Sequence, residues 1–348
     1  MLLLLAGCGG ERAPSSVVPA DSVFYVGMEA ERAERLLQST SREDVDFDRD
    51  VRPWIGARAA YFTDGSADTY GLVFASEDDA AAEAFARKVT AAGPLRASAV
   101  IDGHLVVTSS RELLRAADAA EGGQALADSA RLDVAGETGK DAPEVLIATV
   151  EPETFVAALE VYADLPDHLP EVDFGDGPLT ARIFADVIEL HGLPPRPAAP
   201  TLADVSSDAQ LAVASGDLSE GDELAFAAFE LERRSRYRDL EALGPYLGAG
   251  TLALEGRFRS DLRARLVAEI DDEAGLRATI AALPRRPGFE IADGRVTIDI
   301  GGGASGSGRL GETARYREAE RRLGGPPTLM TDDVVLRLDE RGVLRIVR

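Results

Sequence analysis

The sequence has one cysteine, three histidines and no apolar run of the roughly 18 residues that a membrane-spanning helix needs. A single cysteine excludes any disulfide within the chain, so stability must come from burial of apolar side chains. The histidines stand far apart, at His104, His168 and His191. No zinc-protease spacing, cysteine-rich metal set or nucleophile elbow is present. We therefore predict no catalytic residues, no metal site and no cofactor.

Positive charge is also scarce, with 37 Lys and Arg against 61 Asp and Glu and a formal net charge of -24. Such acidity argues against a nucleic-acid partner, because no positive field would attract phosphates. It also makes the protein repel an anionic lipid surface. The 348 residues, 45% of them hydrophobic, are enough for two ordinary globular domains.

A short apolar run at the start ends in Leu5-Ala6-Gly7-Cys8. This motif resembles the lipobox of exported bacterial lipoproteins, in which the chain is cut before the cysteine and acyl groups are attached to it. The resemblance implies that Cys8 is lipidated and that the protein is exported and anchored to the outer face of a bacterial membrane. No basic residue precedes Cys8, so we expect the leader to begin upstream of Met1. The polar stretch after Cys8, up to Ser16, is typical of a flexible tether.

The order of predicted elements occurs twice. Each copy has two strands, a helix that begins at acidic residues, a Pro break, an Asp-Gly hairpin and a second helix. The hairpins turn on Asp102-Gly103 and Asp293-Gly294, and Pro53-Trp54-Ile55-Gly56-Ala57 matches the stretch from Pro245 to Ala249. We predict an α+β fold of mainly antiparallel sheets with helices packed on one face, in two similar halves from an internal duplication.

The predicted organisation has four parts. Residues 1–16 form the signal remnant, lipobox and flexible tether, and 17–140 form the first α+β repeat. Residues 141–207 form a connecting segment with a strand, a helix and a Pro-rich linker, and 208–348 form the second repeat. The linker around Leu193-Pro194-Pro195 is the expected boundary.

Several of these stretches resemble a bacterial family, the domain of unknown function numbered 3352. The motifs are Val18-Pro19-Ala20-Asp21-Ser22-Val23-Phe24-Tyr25-Val26, Pro53-Trp54-Ile55-Gly56, the Asp102-Gly103 hairpin, and Leu113-Leu114-Arg115-Ala116-Ala117-Asp118 leading to Gly122-Gly123 and Leu126. The resemblance covers most of the chain after the tether. It implies an exported or lipid-anchored protein and brings no known activity.

Other patterns suggest chemistry more weakly. Gly301 to Gly306 satisfies G-x-G-x-x-G, but no βαβ alternation surrounds it, and we expect a flexible link. Two acidic loops lack the Gly and Glu of a calcium loop and are expected to be solvated: Asp44, Asp46, Asp48 and Asp50, and Asp164, Asp167, Glu171, Asp173 and Asp176. Four arginines would share one face of a hairpin and could receive an anionic ligand: Arg257, Arg259, Arg263 and Arg265.

These observations favour a lipid-anchored extracytoplasmic protein with a non-enzymatic binding or structural role. One alternative is a carrier of an apolar ligand, held between a curved sheet and its helices. Another is a cell-envelope hydrolase that uses carboxylates. The membrane, reached through Cys8, is the one partner that the sequence predicts, and a protein or apolar-ligand partner is left open.

Overall fold

A computed structural model describes residues 12–34, 45–66, 68–92, 94–120, 122–163, 174–219, 241–255, 263–283, 287–301, 308–331 and 334–347. The chain is mixed α+β and divides into two compact units. The first unit comprises Met1–Leu165, Phe174–Ala185 and Leu190–Gly192, and the second comprises Pro166–Asp173, Asp186–Glu189 and Leu193–Arg348. None of the described helices is long and apolar enough to cross a membrane.

The first unit is built on an antiparallel sheet with the strand order β7-β6-β1-β2-β3-β5-β4. Its strands are β1 (Phe24–Glu29), β2 (Ile55–Thr63), β3 (Tyr70–Ser76), β4 (Ala97–Ile101), β5 (His104–Thr108), β6 (Val145–Thr149) and β7 (Leu179–Ile183). Its described α-helices include α1 (Asp79–Ala92), α2 (Arg111–Ala120) and α3 (Pro152–Tyr162). The predicted connecting segment 141–207 thus contributes β6, α3 and β7 to this unit.

The second unit has the strand order β12-β13-β11-β10-β9-β14-β15-β16, again antiparallel. Its strands are β9 (Ala209–Ser215), β10 (Leu247–Glu255), β11 (Arg263–Ile270), β12 (Gly288–Ala292), β13 (Arg295–Ile300), β14 (Leu329–Thr331), β15 (Val335–Leu338) and β16 (Leu344–Val347). Its described helices are α4 (Glu273–Ala282) and α5 (Ala314–Leu323). One more strand, β8 (Val187–His191), lies where the chain is divided between the units.

Both predicted Asp-Gly hairpins are present, as β4–β5 and β12–β13. Asp102 and Asp293 have φ values of 48° and 51°, and the glycines after them have φ values of 74° and 75°. Two successive residues at positive φ give the turn whose twist matches antiparallel strands, and Asp and Gly tolerate that conformation best. The dipeptide therefore fixes each hairpin locally.

The predicted duplication has partial support in the order of the strands. The order β1-β2-β3-β5-β4 in the first unit matches β9-β10-β11-β13-β12 in the second. The helices do not follow the same pattern, because α2 precedes a 3-10 helix at Leu126–Asp128, whereas α5 follows one at Leu310–Glu312. The duplication therefore stays a prediction.

One face of the first sheet packs against α1. The ring of Trp54 lies 5.4 Å from the ring of Phe85 in α1 and 6.0 Å from that of Phe74 in β3. Phe74 pairs across the sheet with Ala59, so both side chains point to this face. All three aromatic rings are buried, and they form the apolar contact between helix and sheet.

The opposite face of the same sheet packs against α2. Ala60 follows Ala59 along β2 and so points the other way. It belongs to one buried cluster with Leu113 and Ala117 of α2. Helices thus cover both faces of the first sheet, and the prediction of helices on one face is wrong for this unit. An apolar helical stripe requires a buried face but does not specify which side of a sheet it meets.

Candidate functional site

The sequence-predicted site residues fall partly outside the described part of the chain. Cys8, Arg257, Arg259 and His168 lie outside it, as do Asp44 and most of the second acidic loop. Arg263 and Arg265 are described on β11, two residues apart and therefore on one side of the strand. Arg265 donates from Nε and Nη2 to the two carboxylate oxygens of Asp299, at 2.8 and 3.2 Å. An anionic partner for this face stays a prediction.

The described residues of the first acidic loop, Asp46, Asp48 and Asp50, accept hydrogen bonds from basic side chains and from the backbone. Asp50 accepts hydrogen bonds from Arg49 and, at 2.8 Å, from Lys88, and these bonds lower the pKa of the Asp50 carboxyl. Asp46 accepts the backbone N–H of Arg49, and Asp48 accepts from Arg52 at 2.6 Å. Among the described residues, no group of three or more His, Cys, Asp or Glu could hold a metal ion.

The N-terminal segment is bound to the first unit from Arg12 onward. The Arg12 guanidinium pairs with Asp102, and its carbonyl oxygen lies 3.1 Å from Nε2 of His104. Residues 14–17 form a 3-10 helix in which Pro14, Ser15 and Val17 are buried. Arg12 to Ser16 are therefore not a flexible tether, which corrects the prediction for these five residues, whereas residues 1–11 lie outside the described part of the chain. Composition alone is misleading here, because this polar stretch has specific partners distant in sequence.

Residues 129–142 lack regular secondary structure, and we call this segment the strap. It packs against the sheet face that carries α2. Leu132 and Val134 of the strap belong to the same buried cluster as α2. Thr180 and Arg182 of β7 hold it from below: Thr180 Oγ1 donates to the Asp133 carbonyl at 3.2 Å, and Arg182 Nη2 donates to the Asp133 carboxylate at 2.7 Å. These contacts place the next residues of the strap over β1.

The strap inserts Glu137 into the core, where it is 1% exposed. The Tyr25 hydroxyl donates to Glu137 Oε1, and the Ser15 N–H donates to Oε2 at 3.3 Å. Gly27 leaves the space, since a Cβ there would lie 2.5 Å from Glu137 Oε1. Burial raises the pKa of the Glu137 carboxyl, while Tyr25, Ser15 and the charge of Arg58 oppose the rise. Burial and the nearby carboxyl also raise the pKa of Tyr25 well above its ordinary value.

Arg58 of β2 is the second buried charged residue of this region and is 5% exposed. The strand register pairs Tyr25 with Phe62 and Glu29 with Arg58, so Arg58 points to the same face as Tyr25. Its Nη1 donates to the Pro143 carbonyl oxygen at 2.8 Å. Its Nε and Nη2 are shielded from solvent and have no hydrogen-bond partner.

Arg58 lines a cavity of about 520 Å³ in the first unit. The cavity lies between the end of β1, the start of β2 and the end of the strap. The charged residues among its walls are Glu29, Glu31, Arg52, Arg58 and Lys140. Lys140 is exposed, whereas Arg58 is buried, so positive charge is present at the surface and at depth. We take this Arg58 cavity as the candidate functional site.

Sequence reasoning did not single out Arg58 or Glu137. A charged residue within an apolar strand, as in Ala57-Arg58-Ala59-Ala60, is a signal that could have identified Arg58. No comparable local signal marks Glu137, because it lies among glycines and polar residues in Gly136-Glu137-Thr138-Gly139-Lys140. The two described histidines contact nearby groups: Nδ1 of His104 lies 3.0 Å from the Asp102 carbonyl oxygen, and Nε2 of His191 lies 3.1 Å from Nη1 of Arg182.

Comparison with known proteins gives little similarity. No protein-family model matches the chain, and no curated protein matches it. Among solved structures, crystal form III of TP0453 aligns over 86% of this chain and 96% of that chain, at 11% identity and a TM-score of 0.30. Crystal form I of TP0453 aligns over 83% and 92%, at 10% identity and a TM-score of 0.23. Scores this low carry no argument about fold or function.

Proposed function

We propose that this protein is an exported lipoprotein, anchored through Cys8 to the outer face of a bacterial membrane, with a non-enzymatic binding role. The observation that carries the anchor is the motif Leu5-Ala6-Gly7-Cys8, which holds the single cysteine of the chain. Each acyl methylene buried in a bilayer contributes about 0.8 kcal/mol, so two or three chains hold a globular body stably.

The Arg58 cavity supports a binding role. A buried guanidinium with two unpaired nitrogens is costly unless something accepts from it. Glu137 does not supply the geometry of a hydrolase, because both of its oxygens already accept hydrogen bonds from Tyr25 and Ser15. The charged lining of the cavity does not favour an apolar cargo either. Binding of a polar ligand is therefore the better-supported activity.

Fractionation of cells tests the anchor. Wild type and Cys8→Ala would be expressed from the full upstream reading frame, with Gly10→Ala as a control that keeps Leu5-Ala6-Gly7-Cys8 intact. We expect wild type and the control in the membrane fraction, and a mature N-terminus whose mass includes acyl groups on Cys8. We expect Cys8→Ala to leave that fraction. Wild type in the cytosol, with a free thiol and an uncleaved leader, would disprove the proposal.

A further inference from the structure

We infer that the Arg58 cavity binds a small anionic group with two adjacent oxygens, a carboxylate or a phosphate, through Nε and Nη2 of Arg58. This inference rests on the binding half of the proposed function and is independent of the lipid anchor.

The two unpaired nitrogens of Arg58 are the pair that forms the side-on fork of a guanidinium. Two other arginines in the described part of the chain use this fork. Arg49 donates from Nε and Nη2 to the two oxygens of Asp50 at 2.8 and 2.9 Å, and Arg265 does the same to Asp299. Two parallel N–H donors match the spacing of carboxylate or phosphate oxygens. Arg58 is buried and presents the same fork without an acceptor.

The neighbouring carboxylate does not fill the fork. Glu137 is close enough for Arg58 to influence its pKa. Its oxygens, however, are directed to the Tyr25 hydroxyl and the Ser15 N–H. The remaining hydrogen bond of Arg58, from Nη1 to the Pro143 carbonyl, fixes one end of the guanidinium. That bond occupies Nη1, and the Nε–Nη2 edge has no acceptor.

The charges around the cavity limit how much negative charge a ligand can carry. Lys140 is exposed on the wall and adds positive charge, whereas Arg52 is already paired with Asp48 at 2.6 Å. Glu29 and Glu31 line the same cavity and repel additional negative charge. One compact anionic group therefore fits better than a polyanion. Because Nε and Nη2 are shielded from bulk water, the Arg58 side chain must turn toward the cavity before these atoms can contact a ligand.

A free anion and a lipid headgroup share this chemistry. Gly56 and Ala57 line the Arg58 cavity and also a neighbouring cavity of about 420 Å³ that includes Arg12. Both cavities therefore border the start of β2, and the second one includes a residue of the N-terminal segment. Both a free phosphate and the phosphate of an anionic lipid must be tested.

The experiment uses the full chain carrying Cys8→Ala, so that the lipid anchor has no part in the result. Inorganic phosphate and acetate are titrated by calorimetry, and flotation measures binding to phosphatidylglycerol vesicles, with phosphatidylcholine vesicles as the blank. The variants are Arg58→Met, Arg58→Lys and Lys140→Gln. Arg49→Gln is the matched control, because its fork is already occupied and it does not line the cavity.

We expect wild type to bind at least one of the anions, and Arg58→Met to weaken binding at least about tenfold. Arg58→Lys should be nearly as weak, because an ammonium keeps the charge but lacks the fork. Lys140→Gln should weaken binding about threefold, since an exposed charge contributes little. Arg49→Gln should bind like wild type. If Arg58→Met does not fold, Arg58→Lys and Lys140→Gln decide the question.

Phosphate or acetate binding that depends on Arg58 identifies a free anion as the ligand. Vesicle binding alone, with the same dependence, identifies the headgroup. The inference is overturned if wild type binds neither the free anions nor phosphatidylglycerol vesicles, or if Arg58→Lys binds as tightly as wild type. A protein that is found in the membrane fraction but binds no anion would support the lipid anchor and contradict this inference. The two proposals can therefore fail separately.

Discussion

Replacement of Glu137 by glutamine tests the buried hydrogen bonds beneath the strap, and its effect depends on pH. Burial raises the pKa of Glu137 above its ordinary value of 4.5, so the folded state favours the neutral acid. In the neutral acid the bond to Tyr25 reverses, because the carboxyl O–H donates to the Tyr25 hydroxyl oxygen while the other carboxyl oxygen accepts from the Ser15 N–H. A glutamine at 137 can do both. Glu137→Gln should therefore imitate the protonated wild type at every pH.

The sign follows from proton linkage. The folded state binds the Glu137 proton more tightly than the unfolded state does. The stabilisation that this proton gives is therefore complete below pH 4.5, and it is lost as pH rises through the pKa of Glu137 in the folded state. The wild type should lose up to about 1.4 kcal/mol of unfolding free energy per pH unit across that window. Glu137→Gln should match it near pH 4.5 and exceed it at neutral pH.

Urea unfolding at a series of pH values measures this difference. Trp54, the only tryptophan, is buried in the first unit, so its fluorescence reports the unfolding of that unit. Asp141→Asn, an exposed carboxyl on the same strap, is the control and should follow the wild type. A variant less stable than wild type at neutral pH would refute the reasoning. It would show that the ionised carboxylate, stabilised by Arg58, is the folded form.

Three further substitutions test packing and charge. Gly27→Ala should destabilise the first unit by about 1–3 kcal/mol, because its Cβ would lie 2.5 Å from Glu137 Oε1; urea unfolding followed by Trp54 fluorescence checks this. Gly177→Ala, whose Cβ would have no neighbour closer than 4.0 Å, should change stability by less than about 0.5 kcal/mol, and equal effects would refute the close-contact argument. Arg265→Gln should cost at most about 1 kcal/mol in chemical denaturation, because the pair with Asp299 is partly exposed. A larger loss would show that this arginine has a role beyond the exposed pair.

Features that depend on neighbouring residues could be predicted from the sequence. The two hairpins are the clearest example, because Asp102 and Asp293 with their following glycines determine the turn by local backbone preference. The start of α4 is another, since the Asp272 side chain accepts the Gly275 N–H at 3.0 Å, as an acidic helix start requires.

Features that depend on distant residues could not be predicted. Glu137 meets Tyr25 across 112 residues, and no pattern near either one indicates the pairing. Arg58 does carry a local signal, a charge within an apolar strand, but its partner Pro143 lies 85 residues away and nothing nearby indicates that contact. The segment from Arg12 has a polar composition typical of a tether, yet His104 and Asp102 bind it. Composition indicates which local conformations a segment can adopt, but tertiary contacts decide where the segment lies in the fold.

The attachment of Arg12 to the first unit limits how far the body could stand from a bilayer. Gly9, Gly10 and Glu11 are the only residues between Cys8 and Arg12, and four extended residue steps reach at most about 14 Å. An acylated Cys8 would therefore keep the Asp102 corner of the first unit within the headgroup zone or just above it. Such a short linker would restrict rotation of the first unit relative to the bilayer, so that the Asp102 corner stays on the side that faces the lipid.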